Sequence, residues 1–159
     1  MALIDQVQAA LAGLASPTQV PQQLSVQDAD KSFHCQLTGL DSLGCAFTEF
    51  ELTIGKLSAA PIDQLKRVAE ALSARLTYLL EPIRPIEVDP DQCVVQMRSS
   101  PPQKDDNGTS YYELLVARGG RLSLSRYSRP VGQSEREAVS AHVTREVFLR
   151  LVRDFAAVA

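Results

Sequence analysis

The chain has 159 residues, of which 45% are apolar and 22% charged, the size and composition of one globular domain. These values exclude a disordered or fibrous chain, and a core of this size needs no disulfide or metal. The net charge of −3 argues against general affinity for nucleic acid. The charge is uneven, because residues 1–117 hold eight basic and fifteen acidic side chains, whereas residues 118–159 hold eight arginines and four acids.

Neither a membrane span nor an export signal is indicated by the sequence. No apolar run reaches the roughly 18 residues that a membrane helix requires, and the N-terminal apolar stretch lacks basic residues and is interrupted at Gln6. The three cysteines, Cys35, Cys45 and Cys93, have no CxxC spacing, which favours free thiols in a reduced compartment. We therefore expect a single cytoplasmic domain over residues 1–159, with no membrane contact.

The N-terminal third predicts one helix followed by three strands. Apolar residues at helical spacing predict an amphipathic helix over 2–15, which ends at Ser16-Pro17 because a residue before proline avoids the α conformation. Alternation of apolar and polar residues then predicts strands over 20–27, 32–38 and 47–54.

The middle of the chain predicts a second helix and four strands. The helix is expected over 61–80, between Pro61 and Pro82, with one apolar face. The strands that follow are expected at 84–88, 93–97, 111–118 and 121–128. Gly119-Gly120 predicts a tight hairpin turn between the last two strands. Residues 99–110 are rich in proline and polar residues, and we expect them to form a flexible loop.

The C-terminal segment predicts a long helix over 135–157. Ser134 and Glu137 have the spacing of a capping box, which would place the first turn of the helix at this point. The apolar residues of this helix cover about 180° of a helical wheel, more than packing on one sheet requires. Two further apolar residues, Val139 and Leu149, fall on its polar side, next to Arg145 and Arg153. We interpret these four residues as a candidate partner-binding surface, and a homodimer as its commonest form.

The element order is αβββαββββα, and the short connections between strands predict an α+β fold with an antiparallel sheet packed by helices on one face. This order resembles the type III secretion chaperone-like fold. The matching features are a helix over 2–15, strands up to Ile54, a helix over 61–80, paired strands up to Ser128 and a helix over 135–157. The chain departs from that pattern in having four strands after the second helix and a basic C-terminal third. The resemblance implies a dimer that binds an extended segment of another protein.

No set of residues predicts a metal, cofactor or catalytic site. His34 and Cys35 are adjacent on a predicted strand and therefore point to opposite faces, so they cannot both bind a metal with Cys45 unless the strand bulges. His142 falls on the polar side of the predicted third helix, as a solvated histidine would. Neither a nucleophile with a matching base nor a phosphate-binding loop is present. The paired aspartates, such as Asp89 and Asp91, lie in turn-like sequence.

Two functions stay open from the sequence. We favour a non-enzymatic module that binds a protein or peptide, because unexplained apolar surface outweighs reactive groups. The alternative is a small-molecule-binding or enzymatic domain with a pocket between the sheet and the C-terminal helix, lined by His34, Tyr112 or Arg126. Four arginines could also form an anion-binding surface, namely Arg118, Arg121, Arg126 and Arg129.

Overall fold

A computed structural model describes residues 2–159, in which three helices pack against an antiparallel sheet, with α3 at the C-terminus. The helices are α1 (Leu3–Ala12), α2 (Ile62–Arg75) and α3 (Arg145–Ala157). The predicted α+β fold and its order of major elements are confirmed. Ten strands are present within the described residues, because three short strands accompany the seven that we predicted.

The seven major strands lie in the order β1-β2-β3-β8-β7-β5-β4. Their bounds are β1 Gln22–Asp28, β2 Lys31–Leu40, β3 Gly44–Ile54, β4 Ile83–Asp89, β5 Val94–Ser99, β7 Gly108–Ala117 and β8 Arg121–Pro130. The short strands are β6 (Gln103–Asp105) beside β7, β9 (Glu137–Val139) beside β8, and β10 (Ala141–Thr144) beside β3. The strands β1 and β4 therefore form the two edges of the sheet.

One face of the sheet is apolar because the strand alternation is in register across neighbouring strands. Buried residues meet buried residues at each pairing, as Cys35 does with Phe50, Phe50 with Leu124, and Leu124 with Leu114. Side chains of opposite parity form the other face, which no helix within residues 2–159 covers; it is called the open face below. The sequence pattern thus decides which face α1, α2 and α3 cover.

The helix α3 begins at Arg145, so the predicted start at 135 was wrong. Residues 137–144 instead form β9 and β10, and the hydroxyl of Thr144 caps α3 by accepting a hydrogen bond from the Val147 N–H at 3.0 Å. A capping box is a local signal. Here, pairing with β8 and β3 satisfies the backbone groups of the segment at tertiary range, and that pairing overrides the local preference.

The helix α2 ends at Arg75, about one turn before the predicted end at 80. Leu76 and Leu79 are nevertheless buried, so the apolar pattern continues beyond the end of the helical backbone. The segment that we predicted to be a flexible loop, 99–110, contains β6 and the tight turn that joins it to β7. Its flexibility stays a prediction.

Candidate functional site

The open face carries a cluster of charged and aromatic side chains around Glu113. This carboxylate is 3% exposed and accepts hydrogen bonds from both terminal nitrogens of Arg136, at 2.9 and 3.2 Å. Gln96 donates a further hydrogen bond, and a terminal nitrogen of Arg98 lies 3.6 Å away. Such a forked contact fixes the orientation of the guanidinium as well as its charge.

The arginines hold Glu113 in its charged form. Burial by itself would raise the pKa of this carboxyl, but the hydrogen bonds from Arg136 and Gln96, together with the charges of Arg136 and Arg98, bring the pKa below its ordinary value of 4.5. The hydrogen bond with Glu113 in turn raises the pKa of Arg136. Both groups are therefore charged throughout the neutral range.

Two tyrosines extend this cluster along the face. The ring of Tyr127 lies under the Arg136 guanidinium at 3.7 Å, and the ring of Tyr111 lies under Arg98 at 4.5 Å. The two rings are themselves 6.1 Å apart, and Arg136 also donates to the Tyr111 hydroxyl at 3.2 Å. Guanidinium groups bind aromatic faces in this geometry. These contacts attach the segment before β9 to the open face.

This cluster was not predicted from the sequence. Arg136 falls in the first turn of the helix predicted over 135–157, and no pattern in the sequence connects Arg98 with Glu113. One signal was available, since Tyr111 and Glu113 share one face of β7 and Tyr127 lies on the neighbouring strand of the predicted hairpin. Tyrosine next to a carboxylate on the polar face of a strand is a signal for such a cluster.

A cleft of about 450 Å³ lies beside this cluster, towards the β4 edge. It is lined by three arginines, Arg84, Arg98 and Arg129, and by the ring of Tyr111, and is called the arginine cleft below. Apolar walls come from Pro85, Ile86 and Pro102, and Ser99, Ser100 and Thr109 complete the lining. No acidic side chain is among these residues.

The four arginines of the predicted anion-binding surface do not form one surface. Arg121 and Arg129 belong to the open face, whereas Arg126 has the opposite parity on β8 and belongs to the side of the helices. Three of the four have protein partners: Arg118 donates to the Asp91 carbonyl at 3.1 Å, Arg121 lies 3.8 Å from Glu51, and Arg126 lies 3.2 Å from Glu81. Of this set, the arginine cleft contains Arg129 alone.

The predicted partner-binding residues are also separated. Val139 lies in β9, opposite Arg126, and is not on a helix. Leu149 and Arg153 are on α3, where Leu149 is half-buried against the core and Arg153 is exposed. Arg145 begins α3, and its Nε donates to the Asp41 carbonyl at 2.6 Å. The predicted arc included residues that lie before the start of α3, so it is narrower on the helix itself, and the homodimer stays a prediction.

The space between the sheet and α3 is filled by phenylalanine rings. Phe148 and Phe155 of α3 meet Phe33, Phe47 and Phe50 of the sheet at centroid distances of 5.0–6.2 Å. A ligand pocket predicted at that place therefore has no room. These edge-on contacts are typical of a packed core.

The residues proposed to line that pocket lie elsewhere. His34 is on the open face, where its Nδ1 is 3.0 Å from the Ser25 hydroxyl. Tyr112 and Arg126 do meet, with the guanidinium 4.6 Å from the ring centroid, in a surface cleft that also includes Glu81 and His142. His142 itself is exposed on β10 and is not on a helix.

The thiols have the properties of core residues. Burial raises the pKa of Cys45 to about 11, and it raises the pKa of Cys35 as well. Both are protonated at neutral pH, which leaves them poor nucleophiles. Among residues 2–159, no group of three or more His, Cys, Asp or Glu side chains could hold a metal ion. Within the same range, no helix has the length and apolar character to cross a membrane.

The two edges of the sheet differ in character. The strand β1 pairs with β2 in continuous register over seven residues, contains no proline, and carries its first charge at Asp28. The strand β4 contains Pro85, a register shift between Pro85 and Glu87, and charges at Arg84, Glu87 and Asp89. Proline, bulges and charge are features by which proteins prevent pairing at an edge. The edge at β4 has all three, and β1 has almost none.

Comparison of the chain with protein-family models, with curated proteins and with solved structures finds no match. The resemblance to the type III secretion chaperone-like fold therefore stays a prediction.

Proposed function

We propose that this chain is a non-enzymatic binding module that takes up an extended segment of another protein along the edge of β1. The observation that carries the proposal is the difference between the two edges. The strand β1 lacks the proline and the register shift of β4 and carries fewer charges, so nothing in its sequence or pairing prevents a strand from adding there. An open edge strand pairs with an added strand through backbone hydrogen bonds, and this is a common mode of peptide recognition.

The β1–β2 turn defines which backbone groups are free. Asp28 pairs with Lys31 across a two-residue turn, so these two residues form a hydrogen-bonded pair. Because such pairs alternate along an antiparallel ladder, the N–H and C=O groups of Gln23, Ser25 and Gln27 point away from β2. Three residues thus offer backbone donors and acceptors to an incoming strand.

The side chains around these groups favour a segment of low charge. Gln23 bonds to Gln36 and Ser25 to His34 on the open face, so the surface next to the edge is polar and mostly neutral. Long-range charge attraction would contribute little to binding here. Affinity would come from backbone pairing, and specificity from the spacing of alternate side chains in the added strand.

Substitution of Ser25 by proline tests the proposal. Ser25→Pro removes the central outward N–H without removing a hydrogen bond to β2, whereas the matched control Ser25→Ala keeps that N–H. Tagged wild type, Ser25→Pro and Ser25→Ala are used to capture proteins from native lysate, after circular dichroism has checked that each is folded. We expect a captured protein to be retained by wild type and by Ser25→Ala but to be lost by Ser25→Pro.

Hydrogen exchange then locates the contact. When the retained protein is added to wild type, the amides of Gln23, Ser25 and Gln27 should exchange more slowly, because they become ladder donors. Equal retention by Ser25→Pro and Ser25→Ala, or protection confined to another part of the sheet, would contradict the proposal.

The homodimer expected from the sequence is the competing occupant of this edge, since two copies of β1 could pair with each other. Light scattering of the purified chain separates the two cases. A monomeric mass leaves the edge free for another protein. If the chain is a dimer, and Ser25→Pro dissociates it whereas Ser25→Ala does not, then the edge binds a second copy of the chain. That result would overturn the proposal that the edge binds a segment of another protein.

A further inference from the structure

No acidic residue lines the arginine cleft on the open face, although Arg98 also pairs with Glu113 outside it. Arg84 and Arg98 are direct cross-strand partners in the β4–β5 ladder, and Arg129 lines the same cleft from β8. Like charges placed directly opposite each other on a sheet destabilise it. Such an arrangement favours an anion between the side chains.

Two of these arginine side chains have no protein partner among the described residues. Among residues 2–159, neither Arg84 nor Arg129 makes an ion pair within 4.0 Å or a side-chain hydrogen bond. The nearest buried carboxylate, Glu113, is held by the forked contact with Arg136. The guanidinium groups of Arg84 and Arg129 are therefore available to a ligand.

The third arginine, Arg98, has one hydrogen-bond donor without an acceptor. The Nε of Arg98 is buried and has no hydrogen-bond partner in the described part of the chain, while its Nη2 lies 3.6 Å from Glu113. A buried donor without an acceptor is unfavourable by about 1–3 kcal/mol in general. An anionic oxygen that reached this nitrogen from the cleft would supply the missing acceptor.

We propose that this cleft binds a phosphate group, with Arg84, Arg98 and Arg129 as its ligands. A phosphate monoester carries a charge of about −1.5 to −2 at neutral pH and has three acceptor oxygens, which suits three guanidinium groups better than a single carboxylate does. The hydroxyls of Ser100 and Thr109 are further donors in the lining.

The shape of the cleft favours an ester over free phosphate. Its volume of about 450 Å³ exceeds what a bare phosphate fills, and Pro85, Ile86 and Pro102 give it apolar walls. Ile86 is 52% exposed, so an apolar group attached to the phosphate would cover surface that is now in contact with water. The ligand class is thus a small organic phosphomonoester. This inference does not depend on the function proposed for β1.

Calorimetric titration tests the site, with phenyl phosphate, inorganic phosphate and benzoate as probes in a low-salt buffer. Phenyl phosphate should bind at one saturable site. Arg84→Gln and Arg129→Gln should each weaken binding about tenfold, because each removes a hydrogen bond to a charged group. Arg121→Gln is the matched control, since Arg121 is on the same face but outside the cleft, and it should leave binding unchanged.

Each outcome separates the alternatives. Weaker binding of inorganic phosphate supports the ester, and equal binding of the two supports the phosphate site but assigns it to free phosphate. Binding of benzoate as tight as that of phenyl phosphate, no saturable binding, or an equal loss in Arg121→Gln would overturn the proposal. Thermal melts distinguish a structural role, because loss of Arg84 or Arg129 should relieve repulsion and leave stability unchanged or higher.

Discussion

The two ends of the sheet offer different kinds of contact. At the β1 end, the edge is regular and nearly uncharged, and its free groups are backbone N–H and C=O. At the β4 end, Pro85 and a register shift interrupt the edge, and the open face carries the arginines around Glu113 and the arginine cleft. One continuous sheet therefore presents its backbone at one end and charged side chains at the other.

This difference has a physical basis in what each end can bind. Backbone pairing requires a straight strand whose neighbours do not repel an incoming chain. At the β4 end, Pro85 and the register shift interrupt such pairing, and charged side chains converge on the open face instead. Substitutions at each end, and at the junction where Gly120 meets the end of β3, test this contrast.

The largest effect is expected from Gly120→Ala. Gly120 has a φ of +80°, and its carbonyl accepts the Ile54 N–H at 2.9 Å, which joins the β7–β8 turn to β3. An added Cβ would lie 2.2 Å from the Ile54 carbonyl oxygen, so that junction must move. We expect the free energy of unfolding to fall by about 3 kcal/mol, measured by urea denaturation.

The neighbouring glycine is the control for this substitution. Gly119 has a φ of +84°, but a Cβ there meets no atom within 4 Å. Gly119→Ala should therefore show only the backbone strain, about 1 kcal/mol. If the two variants lose the same stability, close contact at Gly120 is not what joins the two ends.

At the β4 end, Glu113→Gln should lower the free energy of unfolding by about 2 kcal/mol. The substitution leaves Arg98 and Arg136 without their shared carboxylate. A fully buried pair would lose about 3–5 kcal/mol, but each of these arginine side chains is 34% exposed and can be partly hydrated. The matched control towards the β1 end is Glu51→Gln, whose surface contact with Arg121 should contribute less than about 1 kcal/mol.

The stabilising effect of Glu113 also depends on pH in the acid range. Because the pKa of Glu113 in the folded chain lies below 4.5, its stabilising effect is fully present above that pH and declines as the pH falls through the lower folded pKa. The stability difference between wild type and Glu113→Gln should be constant at neutral pH and shrink below about pH 4.5. A difference that grew in acid would mean that Glu113 is protonated in the folded state.

The smallest effect is expected at the β1 end, from Ala29→Gly. Ala29 has a φ of +51° in the two-residue β1–β2 turn, a conformation that glycine adopts without steric cost. Thermal or urea denaturation should show a gain of about 0.5 kcal/mol, since relief of strain exceeds the added chain entropy. The exposed helical residue Ala71 is the control, because Ala71→Gly should lose about 1 kcal/mol.

Local patterns predicted those parts of the fold that are determined by neighbours in the sequence. Alternation in β2 placed Cys35 and His34 on opposite faces, and the structure confirms it. Gly119 and Gly120 both adopt the positive φ that the predicted turn requires, although Arg118 joins them to make a three-residue turn.

The candidate sites were predicted less well, because they combine residues that are distant in the sequence. The arginine cleft brings Arg84 and Arg98 together with Arg129, and no periodicity links these positions. Arg136 was assigned to a helix that begins ten residues later than predicted. Chain order alone does not reveal which strands become neighbours.

The sequence by itself determined the fold class and the face of the sheet that the helices cover, because both follow from the spacing of apolar residues along single elements. The tertiary structure alone decided that residues 137–144 become strands, and which side chains share the open face with Glu113. Strand pairing and charge contacts act through space between segments far apart in the chain. Their energies exceed the local preferences of the segments involved.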